Sequence, residues 1–307
     1  MVGSNISNIR NIITRNKRSE YIFGIVGLLA MLVGIITLFA LIGDLIGDGL
    51  ARLNWQFIIS FPSSEPEEAG IFAAWVGTVS VMIVTAFAAI PLGIAAAIYL
   101  EEYAQKGWLS DLIEINVTNL AGVPSIIYGL LGLGIFVYGL KLDRSIASAG
   151  LTLALLILPV VIVATREALR AIPSNIREAA YACGASKWQM IWDHVLPYAT
   201  GTILTGIIVA LARAIGETAP LIVVGAVTFI ASLPPSPITG EFPFISFQWL
   251  LDTFTVLPIQ MFNWVDRPQE AFQVNAAAAG VVLIAMTLAM NAVAIYLRYR
   301  LRKNIKW

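Results

Sequence analysis

The sequence predicts an all-α polytopic membrane protein with six transmembrane helices. Of its 307 residues, 58% are hydrophobic and 12% are charged, whereas soluble domains carry about 25% charged residues. Apolar segments alternate with polar ones, and about 20 apolar residues are enough to cross the hydrocarbon core. One cysteine and one histidine exclude an internal disulfide and a metal site built from several Cys or His ligands. We therefore expect no metal and no cofactor, and the zero net charge gives no indication of nucleic-acid binding.

Apolar and polar segments divide the chain into four parts. The first part is an N-terminal polar segment, 1–20. The second is a first membrane helix with the loop that follows it, 21–70. A membrane core, 71–297, and a basic tail, 298–307, come after them. The six predicted spans are 21–43, 71–100, 116–140, 146–165, 198–230 and 275–297. The fifth is too long for one simple crossing. The longest polar loops are 166–197 and the proline-rich 231–274.

Lysine and arginine predict the orientation of the chain, because loops that remain in the cytoplasm carry an excess of both. Fourteen of the 19 lie in 1–20, 101–115, 166–197 and the tail, four lie in the other loops, and Arg213 lies within a span. Both termini and the loop 166–197 are therefore expected on the cytoplasmic side. The loop 231–274 becomes an outer loop.

The loop 166–197 combines charge with two amphipathic patterns. Ser174 and Gly184 are expected to begin and end a first helix, and Ser186 begins a second with Gln189 as its capping-box partner. The apolar faces consist of Ile176, Ala179, Ala180 and Cys183, and of Trp188, Ile191, Trp192 and Val195. This pattern fits either an amphipathic hairpin lying on the inner leaflet or a docking site for a cytoplasmic partner.

The fifth span contains charged residues at membrane depth. Arg213 and Glu217 are spaced i and i+4, so they share one helix face. Gly216 and Pro220 predict that the helix kinks or breaks here. The charges fit a structural pair that locks the kink, a guanidinium that lines an anion pathway, or both.

The third span has its own predicted kink. The run AGVPSIIYGLLGLG is rich in glycine and contains Pro124, Ser125 and Tyr128. Small residues and proline favour close helix packing, and a role in lining a transport pathway is the alternative.

The loop 166–197 resembles the EAA loop of ABC importer permeases. Glu178, Ala179 and Ala180 form the E-A-A triplet, and the glycine and Leu-Pro of that pattern follow at the family's spacing, except that His194 stands where isoleucine is usual. The resemblance implies a type I ABC importer permease fold in which this loop supplies the coupling helix for an ATPase subunit. The positions implied to act in coupling are Glu178, Ala179, Ala180, Gly184, Ala185, Leu196 and Pro197.

Four segments of the sequence indicate which kind of ABC importer permease the chain resembles. PLGIAAAIYLEEYA, NLAGVPSIIYGLLGLG, REAAYACGASKW and RAIGETAPL together look like the A-type permease of phosphate-specific ABC transporters. The family implies phosphate import across the bacterial plasma membrane. It also implies three kinds of partner: a homologous C-type permease, ATPase subunits and an extracytoplasmic phosphate-binding protein. On this resemblance Arg213, Glu217, Ser125 and Tyr128 are candidates for the substrate pathway.

The chain contains no G-x-x-x-x-G-K-[ST] sequence, so it is not expected to hydrolyse ATP itself. Permeases for other oxyanions, such as sulfate or molybdate, remain alternatives, as does a secondary transporter. A membrane-embedded enzyme is disfavoured because no pairing of a nucleophile with a base is evident.

Overall fold

The structure is a computed structural model that describes residues 2–105, 107–238, 244 and 246–303. Within these residues the chain forms twelve α-helices, some of them extended by short π-helical turns. The helices are α1 Val2–Gly49, α2 Trp55–Ile59, α3 Phe72–Ile98, α4 Trp108–Leu120, α5 Ser125–Gly132, α6 Ile146–Arg170, α7 Ser174–Ala182, α8 Lys187–Gln189, α9 Leu196–Ile215, α10 Ala219–Val224, α11 Leu257–Val265 and α12 Glu270–Lys303.

Five helical stretches of the described chain are long and apolar enough to cross a membrane. They comprise α1, α3, α6, α12 and the continuous stretch that ends with α9. A sixth crossing is formed if α4 and the helix that starts with α5 count as one bent span. The predicted all-α membrane fold with up to six crossings is confirmed, and large apolar side chains cover the outside of the bundle as a lipid environment requires.

Helix α6 lies at the centre of the bundle. Most of its apolar window is buried, and it packs against α3, α5 and α9. Small residues bring these helices close together: Gly93 faces Val161, and Gly206 faces Ala164. Thr85 of α3 also donates a hydrogen bond to the carbonyl of Gly150, at 3.1 Å. Close approach through small residues is how membrane helices associate, since lipid supplies no hydrophobic drive between them.

Helix α1 stands apart from the bundle for most of its length. Its apolar window has no buried residue, and its contact with α12 lies near its C-terminal end. There Gly49 approaches the backbone of Ala277 and Ala278, and Leu45 approaches Gly280. The apolar faces of α1 before that contact are therefore turned toward lipid or toward another protein.

The helices run between two ends of the bundle, which we call the loop end and the opposite end. The loop end holds 99–105, 107–124, 166–197 and the last described residues of α12; the opposite end holds 50–71, 140–146, 225–238 and 246–269. At the opposite end, Arg52 donates to the Asn275 side chain at 3.0 Å and to the carbonyls of Pro66 and Ala69 at 3.2 Å. Arg52 thus fastens the segment after α1 to the start of α12.

Two predicted boundaries were wrong. The third span does not begin at residue 116, because α4 starts at Trp108 inside the predicted polar turn and meets the next helix at a bend of 106°. The predicted loop 231–274 contains α11, whose Leu257, Ile259 and Trp264 are buried, and α12 begins within it at Glu270. In both places an amphipathic segment gains helix-stabilising contacts from the bundle, which hydropathy alone does not reveal.

Candidate functional site

The second helix of the loop 166–197 is continuous with the membrane helix that follows it. Ser186 caps α8, and the predicted capping box with Gln189 is confirmed. A π-helical turn, Met190–Val195, joins α8 to α9, so that one helical stretch of 29 residues runs from Lys187 to Ile215. The predicted separate second helix is therefore wrong: the helical stretch is continuous and spans about 43 Å at 1.5 Å per residue.

The first helix of the loop, α7, begins at Ser174 but is capped differently than expected. Ser174 does not cap it; Pro173 occupies the N-cap position, and no side-chain cap is formed there. Gly184 has a φ of +80°, which confirms the predicted glycine stop. This left-handed conformation turns the chain sharply from α7 toward α8.

The two predicted apolar faces of the loop are only partly buried. Ala180, Ile191 and Val195 belong to the main core of the bundle, whereas Ala179 and Cys183 are exposed. Trp188 and Trp192 are also exposed, and their rings stack on each other at 5.5 Å. The loop therefore has one surface fixed to the bundle and a second, aromatic and small-residue surface that is open to a partner.

The residues implied in coupling lie partly on the buried surface of the loop and partly on its exposed surface. Ala180 is 5% exposed, while Ala185, Leu196 and Pro197 are partly buried. Glu178, Ala179 and Gly184 are exposed, as is His194. Exposed Ala179 and Gly184 leave room for the backbone of another protein to approach closely.

An ion pair, which sequence reasoning missed, ties α7 to the end of α3. Arg177 donates to Glu102 Oε1 through Nη2 at 2.8 Å and through Nε at 3.1 Å. Its other donors reach the carbonyls of Leu169 at 2.9 Å and Ile172 at 2.7 Å, at the end of α6. The Glu102 side chain is 7% exposed, so this is a largely desolvated pair that holds α7 in place.

A second group of ion pairs joins α6 to α3 and α4. Arg166 contacts Glu114 at 2.9 Å and Glu101 at 3.5 Å. Arg170 contacts Glu101 at 2.9 Å and Glu114 at 3.2 Å. A sequence signal existed: the Lys and Arg count predicts the segments 101–115 and 166–197 on the same side of the membrane, which places Glu101, Glu102 and Glu114 within reach of these arginines.

The predicted break in the fifth span is confirmed. Helix α9 ends at Ile215, Gly216 follows as its C-cap, and α10 begins at Ala219 with Pro220 in its first turn. Arg213 Nε lies 3.4 Å from Glu217 Oε1, so the charges bracket the break. Their side chains are 43% and 18% exposed, respectively, which leaves much of the guanidinium accessible.

The stretch around Pro124 packs against this break. Pro124 precedes α5 at its N-cap position, and the Tyr128 hydroxyl donates to the Leu120 carbonyl at 2.7 Å across the bend. Gly129 crosses α10 at Pro220; a Cβ on Gly129 would lie 2.7 Å from Pro220 Cα. The structure thus brings the two predicted constellations together, with Tyr128 buried and Ser125 half-buried.

Comparison with known proteins identifies the family. Residues 89–307 match the family described as "Binding-protein-dependent transport system inner membrane component". The chain is 30% identical to the phosphate transport system permease protein PstA of Mycobacterium leprae, over 92% of this chain and 88% of that protein. It is 26% identical to the permease protein PstC of Xylella fastidiosa, over 94% of both chains.

A solved structure shares the fold. One chain of a bacterial alginate ABC transporter, crystallised with a periplasmic protein bound to an alginate pentasaccharide, superposes with a TM-score of 0.63 at 16% identity. The alignment covers 90% of this chain and 95% of that one. The family match and the relatives agree with the permease family that the sequence predicts, and the solved structure agrees with the all-helical bundle. The chain therefore belongs to the inner membrane components of binding-protein-dependent transport systems, the permeases of ABC importers.

Proposed function

We propose that this chain is a permease subunit of an ATP-driven importer that moves inorganic phosphate into the cytoplasm. The observation that carries the proposal is the Arg213–Glu217 pair at the break between α9 and α10. A guanidinium at membrane depth offers a planar set of donors that suits a phosphate oxyanion. The relatives named for phosphate transport support this choice of substrate.

The loop 166–197 receives the energy from partner ATPase subunits. Its open surface includes Glu178, Ala179 and the Trp188–Trp192 stack. The helix behind that surface runs without interruption to Ile215, beside the charged pair. Closure of the ATPase subunits on ATP moves this loop, and the movement reaches the break as one of two alternating states. Transport activity therefore belongs to this chain and ATP hydrolysis to its partners.

A second, homologous permease completes the pathway. Two features of the chain support this partner: α1 leaves its apolar window without buried residues, and Arg213 lies on a side of α9 that its own bundle leaves open. A C-type permease supplies the facing half of the pathway, and an extracytoplasmic phosphate-binding protein delivers the anion to the opposite end of the bundle. Both termini and the loop end lie in the cytoplasm, in agreement with the distribution of Lys and Arg.

Reconstitution tests this function directly. The two permeases are incorporated in vesicles, and uptake of radioactive phosphate is measured with ATPase subunits and binding protein added or omitted in turn. We expect uptake only when all components and ATP are present, with competition by unlabelled phosphate and none by sulfate. ATP-independent uptake would identify a secondary transporter instead, and equal competition by sulfate or molybdate would identify another oxyanion as the substrate.

A further inference from the structure

The loop end contains a cluster of six charged residues that links four helices. Arg177 belongs to α7, Arg166 and Arg170 to α6, Glu101 and Glu102 to the π-helical turn that ends α3, and Glu114 to α4. Each arginine reaches an acid on another element, and several of these contacts are 2.8–2.9 Å long. We call this set of residues the ion cluster.

The ion cluster is built to hold helices together rather than only to solubilise a surface. Arg166 has a side chain that is 7% exposed, and so has Glu102. Removing one partner of such a pair strands a desolvated charge, which makes the pairing strongly preferred over separation. Helices α3, α4, α6 and α7 therefore move together at this end while the cluster is intact.

From the cluster a series of contacts leads to the broken helix. Glu114 fixes α4, and the Tyr128 hydroxyl fixes the bend between α4 and α5 through the Leu120 carbonyl. Helix α5 then crosses α10 at Gly129 and Pro220, three residues beyond Glu217. This series reaches the chain on the α10 side of Glu217, whereas α9 ends on the Arg213 side of the break.

We propose that α4 and α5 form a second route by which a movement of the loop 166–197 reaches the break between α9 and α10. The movement passes through the ion cluster, in addition to the direct route along α9. We call α4 and α5 the second arm. The proposal rests on the proposed function, because it requires an ATPase that moves the loop. On this basis α9 moves Arg213 and the second arm moves Glu217, so their separation depends on both. Arg170 and Glu114 are positioning residues that act through α5 and do not contact the anion.

Replacement of Glu114 by glutamine tests the second arm, with Asp111→Asn as the matched control on the same helix. Asp111 is exposed and has no ion pair among the residues that the structure describes. The reconstituted complex is assayed for ATP hydrolysis and for phosphate taken up per ATP hydrolysed. We expect Glu114→Gln to keep ATP hydrolysis but to lower that ratio by roughly fivefold or more, within the range of known couplings between sites. Asp111→Asn is expected to leave the ratio unchanged.

Arg170→Gln weakens the same link without removing it, since Arg166 still pairs with Glu114 in that variant and supports folding, so we expect a smaller fall in the ratio than in Glu114→Gln. An unchanged ratio in the assembled Glu114→Gln and Arg170→Gln complexes overturns the second arm. A fall in uptake that only follows the amount of assembled complex, or that equals the fall in ATP hydrolysis, also overturns it. Failure of the proposed function is distinguishable, because the wild-type complex would then show no ATP-driven phosphate uptake.

Discussion

Arg213 and Glu217 form a loose pair rather than a closed one. The hydrogen bond from Arg213 Nε to Glu217 is 3.4 Å long, and the guanidinium carries four further N–H donors. A tight structural lock would use more of them and would bury them more deeply than the 43% exposure observed. The geometry therefore allows the pair both to stabilise the break in the empty protein and to open toward an anion.

Under the proposed function, replacing Arg213 by alanine is expected to abolish phosphate uptake while the complex still assembles, because the cation proposed to offset the charge of the anion is lost. Uptake is measured in vesicles, and assembly by copurification of the partner subunits. Arg300→Ala is the control, since Arg300 bonds the Tyr296 hydroxyl of its own helix at 2.9 Å. Normal transport by the Arg213→Ala protein would exclude a pathway role for Arg213.

Glu217 has a different expected role. Its carboxylate can accept a hydrogen bond from a phosphate hydroxyl, a donor that sulfate lacks at neutral pH. Glu217→Gln should therefore lower phosphate uptake and weaken the discrimination against sulfate, which competition assays measure. If both quantities match those of the wild type, Glu217 only neutralises Arg213 in the empty site.

Among the elements, α5 approaches the broken helix closely at a single residue, Gly129. Gly129 lets α5 approach α10 so that a Cβ would lie 2.7 Å from Pro220 Cα and 2.9 Å from its carbonyl oxygen. These atoms are backbone and cannot rotate away as a side chain can. The separation of α5 from the broken helix is therefore set by the absence of a side chain.

Gly129→Ala is expected to destabilise the crossing by about 1–3 kcal/mol, the usual cost of overpacking, and to reduce phosphate uptake. Thermal unfolding of the purified complex and vesicle uptake measure the two effects. Gly134→Ala is the matched control, because a Cβ on Gly134 meets no atom within 4 Å. Equal behaviour of the two variants would show that the crossing is not tight in the working protein.

At the scale of the whole molecule, the orientation and the docking surface can be tested with one residue. Cys183 is the chain's single cysteine, and it is exposed beside Gly184 at the loop end. A membrane-impermeant maleimide is expected to label it in inside-out vesicles and not in right-side-out vesicles. If the ATPase subunits dock as proposed, their addition should slow labelling, because they would cover the open surface of the loop.

A Cys183→Ser protein controls for labelling elsewhere. Labelling in right-side-out vesicles would reverse the orientation deduced from Lys and Arg, and with it the direction of transport. Labelling from the inner side at a rate that the ATPase does not change would instead place the docking surface away from Cys183.

Hydropathy, glycine and proline are local signals, so they were enough to predict the membrane class, the placement of most helices, the amphipathic loop 166–197 and the break at Gly216. Which charges meet depends on the tertiary structure. Arg177 and Glu102 are 75 residues apart in sequence, and Arg166 and Glu114 are 52 apart. Such partners are chosen by the packing of whole helices, as is the crossing of Gly129 over Pro220. The fusion of α8 with α9 was also missed, because a helix continues through a polar segment when its far side is buried against the bundle.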